Sequence, residues 1–434
     1  KTIKKTTNCN IISLDFLNRY KERLMSEIEF ALNTLYMVLS GALVMWMAAG
    51  FITLEAGFVR TKNVSEVVTK NLGLYAIACT MYLICGFALM YPGDNVINSY
   101  LPQIGTTWNL SLDQLTFNGG LGYSDAADFF FQVVFVATTM SIISGAVAER
   151  MRLVPFYTFC VFLTGFIYPI QGYWKWGGGF LDQLGYADFA GSGVVHLCGA
   201  SAALAAIIVL GPRIGKHNPD GTTNAIQASN IPLVAVAGFI LLLGWFGFNG
   251  GSQLAIHDVL NANAVAQIFL NTNAAAAGGI LGALLFSYFR TGKFDVTMAV
   301  NGAISGLVAI TAGPDTPSGG AATLIGLFGG VIGCYSIIFL DKVLKLDDCV
   351  GAISAHGSAG IWGIMVVPLT NPGATYLAQA IGVLSIFLWS FVLSYIVCII
   401  LKNTIGLRAS ATEEEVGLDE SEVGVPSYPE FVKS

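Results

Sequence analysis

Only four histidines occur in the 434 residues, and two of them, His196 and His356, stand inside long apolar stretches. A neutral imidazole offers one donor and one acceptor, so two such rings in contact can share a hydrogen bond and still present polar edges to a small guest. A lone histidine at that depth is read equally well as a packing residue bonded to a backbone carbonyl. Two in matching surroundings favour a functional lining, because ionisable groups in an apolar medium are costly and usually face a cavity or a partner. The surroundings do match: Val195-His196-Leu197-Cys198-Gly199-Ala200 lies beside Ala355-His356-Gly357-Ser358-Ala359-Gly360 as a stretch of small residues around one histidine. His217 and His257 fall between apolar stretches and read as ordinary solvated residues. Three aromatic rings and a hydroxyl complete the chemistry: Phe135, Trp176 in Trp174-Lys-Trp-Gly-Gly-Gly179, and Phe248 and Ser252 in Gly244-Trp-Phe-Gly-Phe-Asn-Gly-Gly-Ser252. Phenylalanine in an apolar helix usually faces lipid or core. Rings and a hydroxyl together could instead hold a cation stripped of water, since cation–π attraction grows to ~2 kcal/mol when desolvated.

The elements that carry these residues belong in a bilayer. The chain is 54% hydrophobic and 11% charged, against roughly 25% charged residues in ordinary soluble domains. Its apolar blocks reach the roughly 20 residues that a helix needs to cross a membrane. Helices are expected near 30–56, 68–91, 127–149, 154–174, 191–211, 229–249, 262–289, 295–312, 320–340, 350–370 and 375–401, an all-α membrane protein of eleven spans. One set of alternate loops holds Arg60, Lys62, Lys70, Arg150, Arg152, Arg213, Lys216, Arg290, Lys293, Lys342, Lys345, Lys402 and Arg408, and the opposite set only Lys175. Positive residues stay cytoplasmic, so the C-terminus is expected in the cytoplasm and the loop of residues 92–126, which has no Lys or Arg, outside. The two histidine blocks then run in opposite directions, as in an inverted five-helix repeat with its site near the midplane.

Residues 1–29 form a basic segment (Lys1, Lys4, Lys5, Arg19, Lys21, Arg23) that disagrees with this orientation. It lacks the features of a signal peptide, and either a segment upstream of Lys1 or a membrane-surface helix is expected to account for it. Residues 30–402 are read as the membrane domain and 403–434 as an acidic, soluble appendage carrying Glu413, Glu414, Glu415, Asp419, Glu420, Glu422 and Glu430. Seven of the eight cysteines (Cys79, Cys85, Cys160, Cys198, Cys334, Cys349 and Cys398) lie in or next to apolar blocks without CxxC or Cys/His metal spacing and read as small buried hydrophobes, and Gly302-x-x-x-Gly306 and Gly329-x-x-x-Gly333 as close helix contacts. No metal or cofactor is expected. No basic cluster interleaved with aromatics suggests nucleic acid.

Several motifs, in order, resemble the ammonium transporter family (Amt/Mep/Rh). Asp188-Phe-Ala-Gly-Ser-Gly-Val-Val-His196 is similar to its D-F-A-G-G-x-V-V-H signature, with Ser192 in place of a usual glycine. Gly145-Ala-Val-Ala-Glu-Arg-Met-Arg152, Trp176-Gly-Gly-Gly, the Gly244 to Ser252 run, Leu346-Asp-Asp348, His356-Gly-x-x-Gly360 and Gly406-Leu-Arg408 extend the resemblance over roughly residues 30–420. It implies a homotrimer in the plasma membrane (the inner membrane of a bacterium) with one pore per subunit. Phe135, Trp176 and Ser252 would recruit ammonium on the outer side, Phe135 and Phe248 would stack as a gate, His196 and His356 would be the twin histidines of the pore, and Asp188 a structural carboxylate near the recruitment site. Gly351, where the family often has another aspartate, and Val423-Gly424 followed by Ser427-Tyr428, where its tail usually carries His-Gly and then Ala-Tyr, are departures on the cytoplasmic side.

Transport answers a definite physical problem: potassium resembles ammonium in size but cannot lose a proton, so an apolar pore with imidazoles can pass ammonia and relay the proton. The alternative is an ammonium sensor that signals through its cytoplasmic C-terminus to a regulator or to a fused kinase-like module beyond Ser434. An intramembrane enzyme is disfavoured, for no Ser/His/Asp arrangement, metal cluster or nucleotide loop stands in matching context.

Overall fold

The computed structural model describes residues 26–108 and 122–431. The expectations on the basic segment up to Arg23 and on the middle of the 92–126 loop fall outside the described residues. Among those described, nine helices are long and apolar enough to cross a membrane: α1 (Ser26–Phe58), α2 (Thr61–Met90), α3 (Asp125–Ala146), α4 (Leu153–Gln183), α5 (Ser192–Leu210), α6 (Ile231–Gly250), α7 (Val259–Thr291), α9 (Gly319–Lys342) and α11 (Tyr376–Thr404). Two shorter apolar helices, α8 (Val296–Thr311) and α10 (Ile353–Leu369), fall where the eighth and tenth spans were expected. The fold is thus an all-α membrane bundle, in which α3 and α5 are the most enclosed helices. Many Leu, Ile, Val and Phe side chains of the outer helices remain exposed, among them Phe239, Leu285, Leu377 and Leu388, as a protein bathed in acyl chains requires.

Glycine fixes the closest helix contacts. A methyl group at Gly279 of α7 would run into the carbonyl of Gly302 on α8, and one at Gly306 into the carbonyl of Ala275 on α7. Gly330 of α9 meets the Gly279 carbonyl in the same way. Without a hydrophobic force between helices in lipid, such backbone approach supplies the packing.

One expectation needs correction. Lys70 was counted among loop residues, but α2 begins at Thr61 and encloses it. Glu66, one turn earlier, sits 3.5 Å from the Lys70 ammonium, and both side chains are fully buried. The pair cancels its own charge, so the helix extends past residues that look like its boundary. The acidic tail packs against the rest of the chain. Ser410 and Glu413 form a reciprocal cap on a short helix, Ala411–Val416, and the tail folds back onto the start of α2 and the loop after α5. Glu414 accepts from the Ile214 backbone at 2.7 Å and from Arg408 at 2.6 Å, Leu418 N–H donates to Asn63 at 2.9 Å, and Lys62 donates to the carbonyls of Glu414 and Glu415. Glu414, Leu418 and Asp419 are buried as a result.

His257, expected to be simply solvated, lies with Nδ1 3.1 Å from the Asn33 side chain. His217 Nδ1 lies 3.2 Å from the Thr223 hydroxyl. Cys85, Cys160, Cys198, Cys334 and Cys398 are buried free thiols, while Cys79 and Cys349 are half-buried.

Candidate functional site

Each mid-helix histidine lies in a wide π turn rather than regular α-helix: His196 in Ser192–Leu197 and His356 in Ile353–Ser358. Such turns add a residue to the helical repeat and often mark functional positions. Each is anchored by a carboxylate eight residues before its histidine. Asp188 accepts the N–H groups of Gly191, Gly193 and Val194 at 3.2, 2.9 and 2.9 Å. Asp348 accepts those of Val350, Gly351 and Ile353 at 3.3, 3.1 and 2.7 Å. These N–H groups would otherwise be unsatisfied donors at a helix start. Burial pushes the Asp188 carboxyl up to about 6, with the three backbone donors pulling the other way. Asp348 is raised for the same reason and opposed in the same way. Gly191 is needed at its corner: its φ of 115° suits glycine, and a side chain would meet both Val195 and the Trp176 ring.

The two carboxylate caps bring the histidines together. Nδ1 of His356 lies 3.1 Å from Nδ1 of His196, and the rings are 5.1 Å apart at 25°. One Nδ1 must then donate and the other accept, so each ring fixes the tautomer of its neighbour. Phe248 stacks 5.3 Å from His196, Phe135 stacks 3.9 Å from Phe248 at 22°, and Trp176 and Phe135 meet nearly at right angles with ring centroids 6.1 Å apart. Trp176, Phe135, Phe248, His196 and His356 therefore form one file of rings. Phe135, Phe248 and His196 are at most 1% exposed and His356 4%, so a guest moving along the file would shed its water. Trp176 is held by its indole N–H donating to the Asp188 carbonyl at 3.2 Å. Asp188 thus connects the Trp176 end of the file with the histidine helix. Ser252 joins through the Phe248 carbonyl, to which its hydroxyl donates at 2.8 Å, leaving its lone pairs free to accept.

Three participants escaped the sequence reading. Trp245 stacks on His196 at 5.1 Å and 19°, fixed by its N–H to Thr311 Oγ1 at 2.8 Å. Phe51 lies 6.4 Å from His356. Asp348 caps the second histidine helix. Its equal spacing to Asp188 was a signal available in the sequence; the Phe51 contact was not.

Helices of bilayer length around a buried polar pair define a polytopic membrane protein with a narrow, ring-lined interior. The match to the family model "Ammonium Transporter Family" extends over residues 35–428. Ammonium transporter Amt2 of Archaeoglobus fulgidus is 38% identical, covering 95% of this chain and 91% of its own. A putative ammonium transporter of Synechocystis is 39% identical over 92% of this chain and 90% of its own. Among solved structures, a Sensor Amt Protein superposes with a TM-score of 0.85 at 34% identity, over 92% of this chain and 99% of that one. The chain belongs to the ammonium transporter family.

Proposed function

We propose that the protein moves ammonium across the plasma membrane by recruiting the ion at Trp176, Phe135 and Ser252, removing its proton, and passing ammonia between Phe135 and Phe248 to His196 and His356. The observation that carries this reading is the Nδ1 to Nδ1 contact of 3.1 Å at one end of the ring file. A hydrated cation does not fit between rings stacked at 3.9 Å, so the rings must part for a small neutral molecule, while the histidine pair offers a place for the proton. Potassium would meet the same rings with no proton to give up. Eleven crossings, a homotrimer with one pore in each subunit, a membrane domain spanning 30–402 and a cytoplasmic tail after it belong to the same proposal. Asp188 serves it structurally.

The Trp176 π-face favours a desolvated cation by ~2 kcal/mol. Trp176→Leu is therefore expected to reduce the preference for ammonium over potassium by up to roughly 30-fold, as 1.4 kcal/mol corresponds to tenfold. Competition of the two ions in liposomes measures this, and an unchanged preference would remove Trp176 from the recruitment site. Orientation is checked separately. Ile104→Cys and Glu420→Cys, both at exposed positions, are expected to react with an impermeant reagent from opposite faces; reaction from one face would overturn the topology.

A second reading, ammonium sensing with output through the tail, is favoured by the likeness to the Sensor Amt Protein and by the tail's contacts with Lys62 and Ile214. It requires binding at Trp176 and Ser252 but no passage beyond the histidines.

A further inference from the structure

We propose that Glu55 is the group that takes the proton from His356 on the cytoplasmic side; this rests on the proton-relay reading above. With Nδ1 of His356 held by His196, only its other ring nitrogen is free. His356 lines a small cavity of about 10 Å³ together with Phe51, Leu54, Glu55, Ser141, Asn301 and Val350. That volume is close to the minimum for one water molecule, and Glu55, Ser141, Asn301 and the imidazole supply polar partners for it. Glu55 is 1% exposed and lies one turn before the cytoplasmic end of α1. Its carboxylate accepts from Asn71 Nδ2 at 3.1 Å and from the Ser144 hydroxyl. These neighbours orient it without neutralising it.

A buried carboxylate without a bonded cation is an expensive ornament in a membrane helix and is normally functional. From Glu55 a polar strip continues toward the cytoplasm on α2. Asn71 is followed by the Lys70 and Glu66 pair at 3.5 Å, and Glu66 Oε1 is buried without a hydrogen-bond partner. The Glu66 N–H donates to Asp419 of the tail at 2.9 Å. Asp419 borders an open cavity of about 750 Å³. Ammonia has a different outlet. Asn301 and Val350 also border a second cavity, of about 150 Å³, that reaches Lys216, Asp341 and Asp348.

The step balances as proton transfer alone. The imidazolium N–H bond breaks, the bridging water hands on one of its protons, and an O–H bond forms on Glu55. Glu55 then releases that proton to cytoplasmic water and returns to a carboxylate, with no electron transferred.

The test uses the whole protein in liposomes, recording current and uptake of labelled ammonium together for the wild type, Glu55→Gln, Glu55→Asp and His356→Leu. Glu55→Gln keeps the shape and one of the two accepted hydrogen bonds but cannot take a proton, so current is expected to fall ~100-fold, the low end for loss of a positioned acid–base group. Labelled ammonium is still expected to enter as ammonia and to make the interior alkaline, and Glu55→Asp to restore part of the current. A merely structural role would lower current and uptake in proportion, and that result overturns the inference. So does full current in Glu55→Gln when His356→Leu has lost it, which leaves the relay reading standing. Full current in His356→Leu would remove the relay itself.

Discussion

His196→Leu and His356→Leu are each expected to lower ammonium-driven current by ~100-fold or more, the scale on which positioned acid–base groups act, while the protein keeps its fold. Leucine fills nearly the same space between Phe248 and the cavity beside Phe51, but it offers neither donor nor acceptor. Because the pair meets through Nδ1 of both rings, removing one also releases the tautomer of the other. The two single variants and the double variant should therefore lose similar amounts, as expected of groups acting as a unit. Additive losses in the double variant would contradict a shared bond. In the sensing reading both variants keep their output, since binding at Trp176 and Ser252 suffices.

The largest expected effect on stability is elsewhere. Asp347 accepts from the Arg213 backbone N–H and Nε at 2.8 Å each and from Nη2 at 2.9 Å. Its carbonyl accepts from Arg150 at 2.5 Å, and Arg213 also lies 3.5 Å from Glu149, which pairs with Arg60. This network ties the C-terminal end of α3, the N-terminal side of the loop after α5 and the loop before α10 to the start of α2. Asp347→Ala would leave the Arg213 guanidinium, whose side chain is only 4% exposed, with Glu149 at 3.5 Å in place of its close bonded partner, and breaking a buried pair from one side costs about 3–5 kcal/mol. A pronounced fall in the unfolding midpoint in detergent is expected; a change of a degree or two would show the pair to be dispensable. The pH dependence follows in sign. Burial would raise the Asp347 carboxyl, but the bonds and charges of Arg213 and Arg150 outweigh it and hold the group well below the usual carboxylate range. Its contribution is thus complete above the unfolded value of about 4 and is lost as pH falls toward the folded value. Asp347→Asn should remove that acid-sensitive part.

The membrane class, the positions of the helices and the two histidines were legible because they rest on local signals: apolar length, alternating Lys and Arg, and ionisable residues where none is expected. The ring file was legible through resemblance. Glu66 fell outside the expected span 68–91, and Lys70 at its start was counted with the loop charges, because a charge that neutralises itself one turn away looks like a helix boundary. The tail's docking was hidden for another reason. Lys62 meets Glu414, and Glu66 meets Asp419, across most of the chain's length, and no periodicity reports such a pairing. Glu55 stands near the end of the expected span 30–56 with nothing in the sequence to single it out, and only the fold shows that it shares a cavity with His356.

Current and ammonium uptake recorded together in liposomes holding only this protein show whether ammonium passes the histidine pair. An inward ammonium gradient is expected to drive a saturating current accompanied by uptake, while an equal potassium gradient drives none. Protein that binds ammonium yet carries neither current nor uptake would contradict transport and leave sensing as the function.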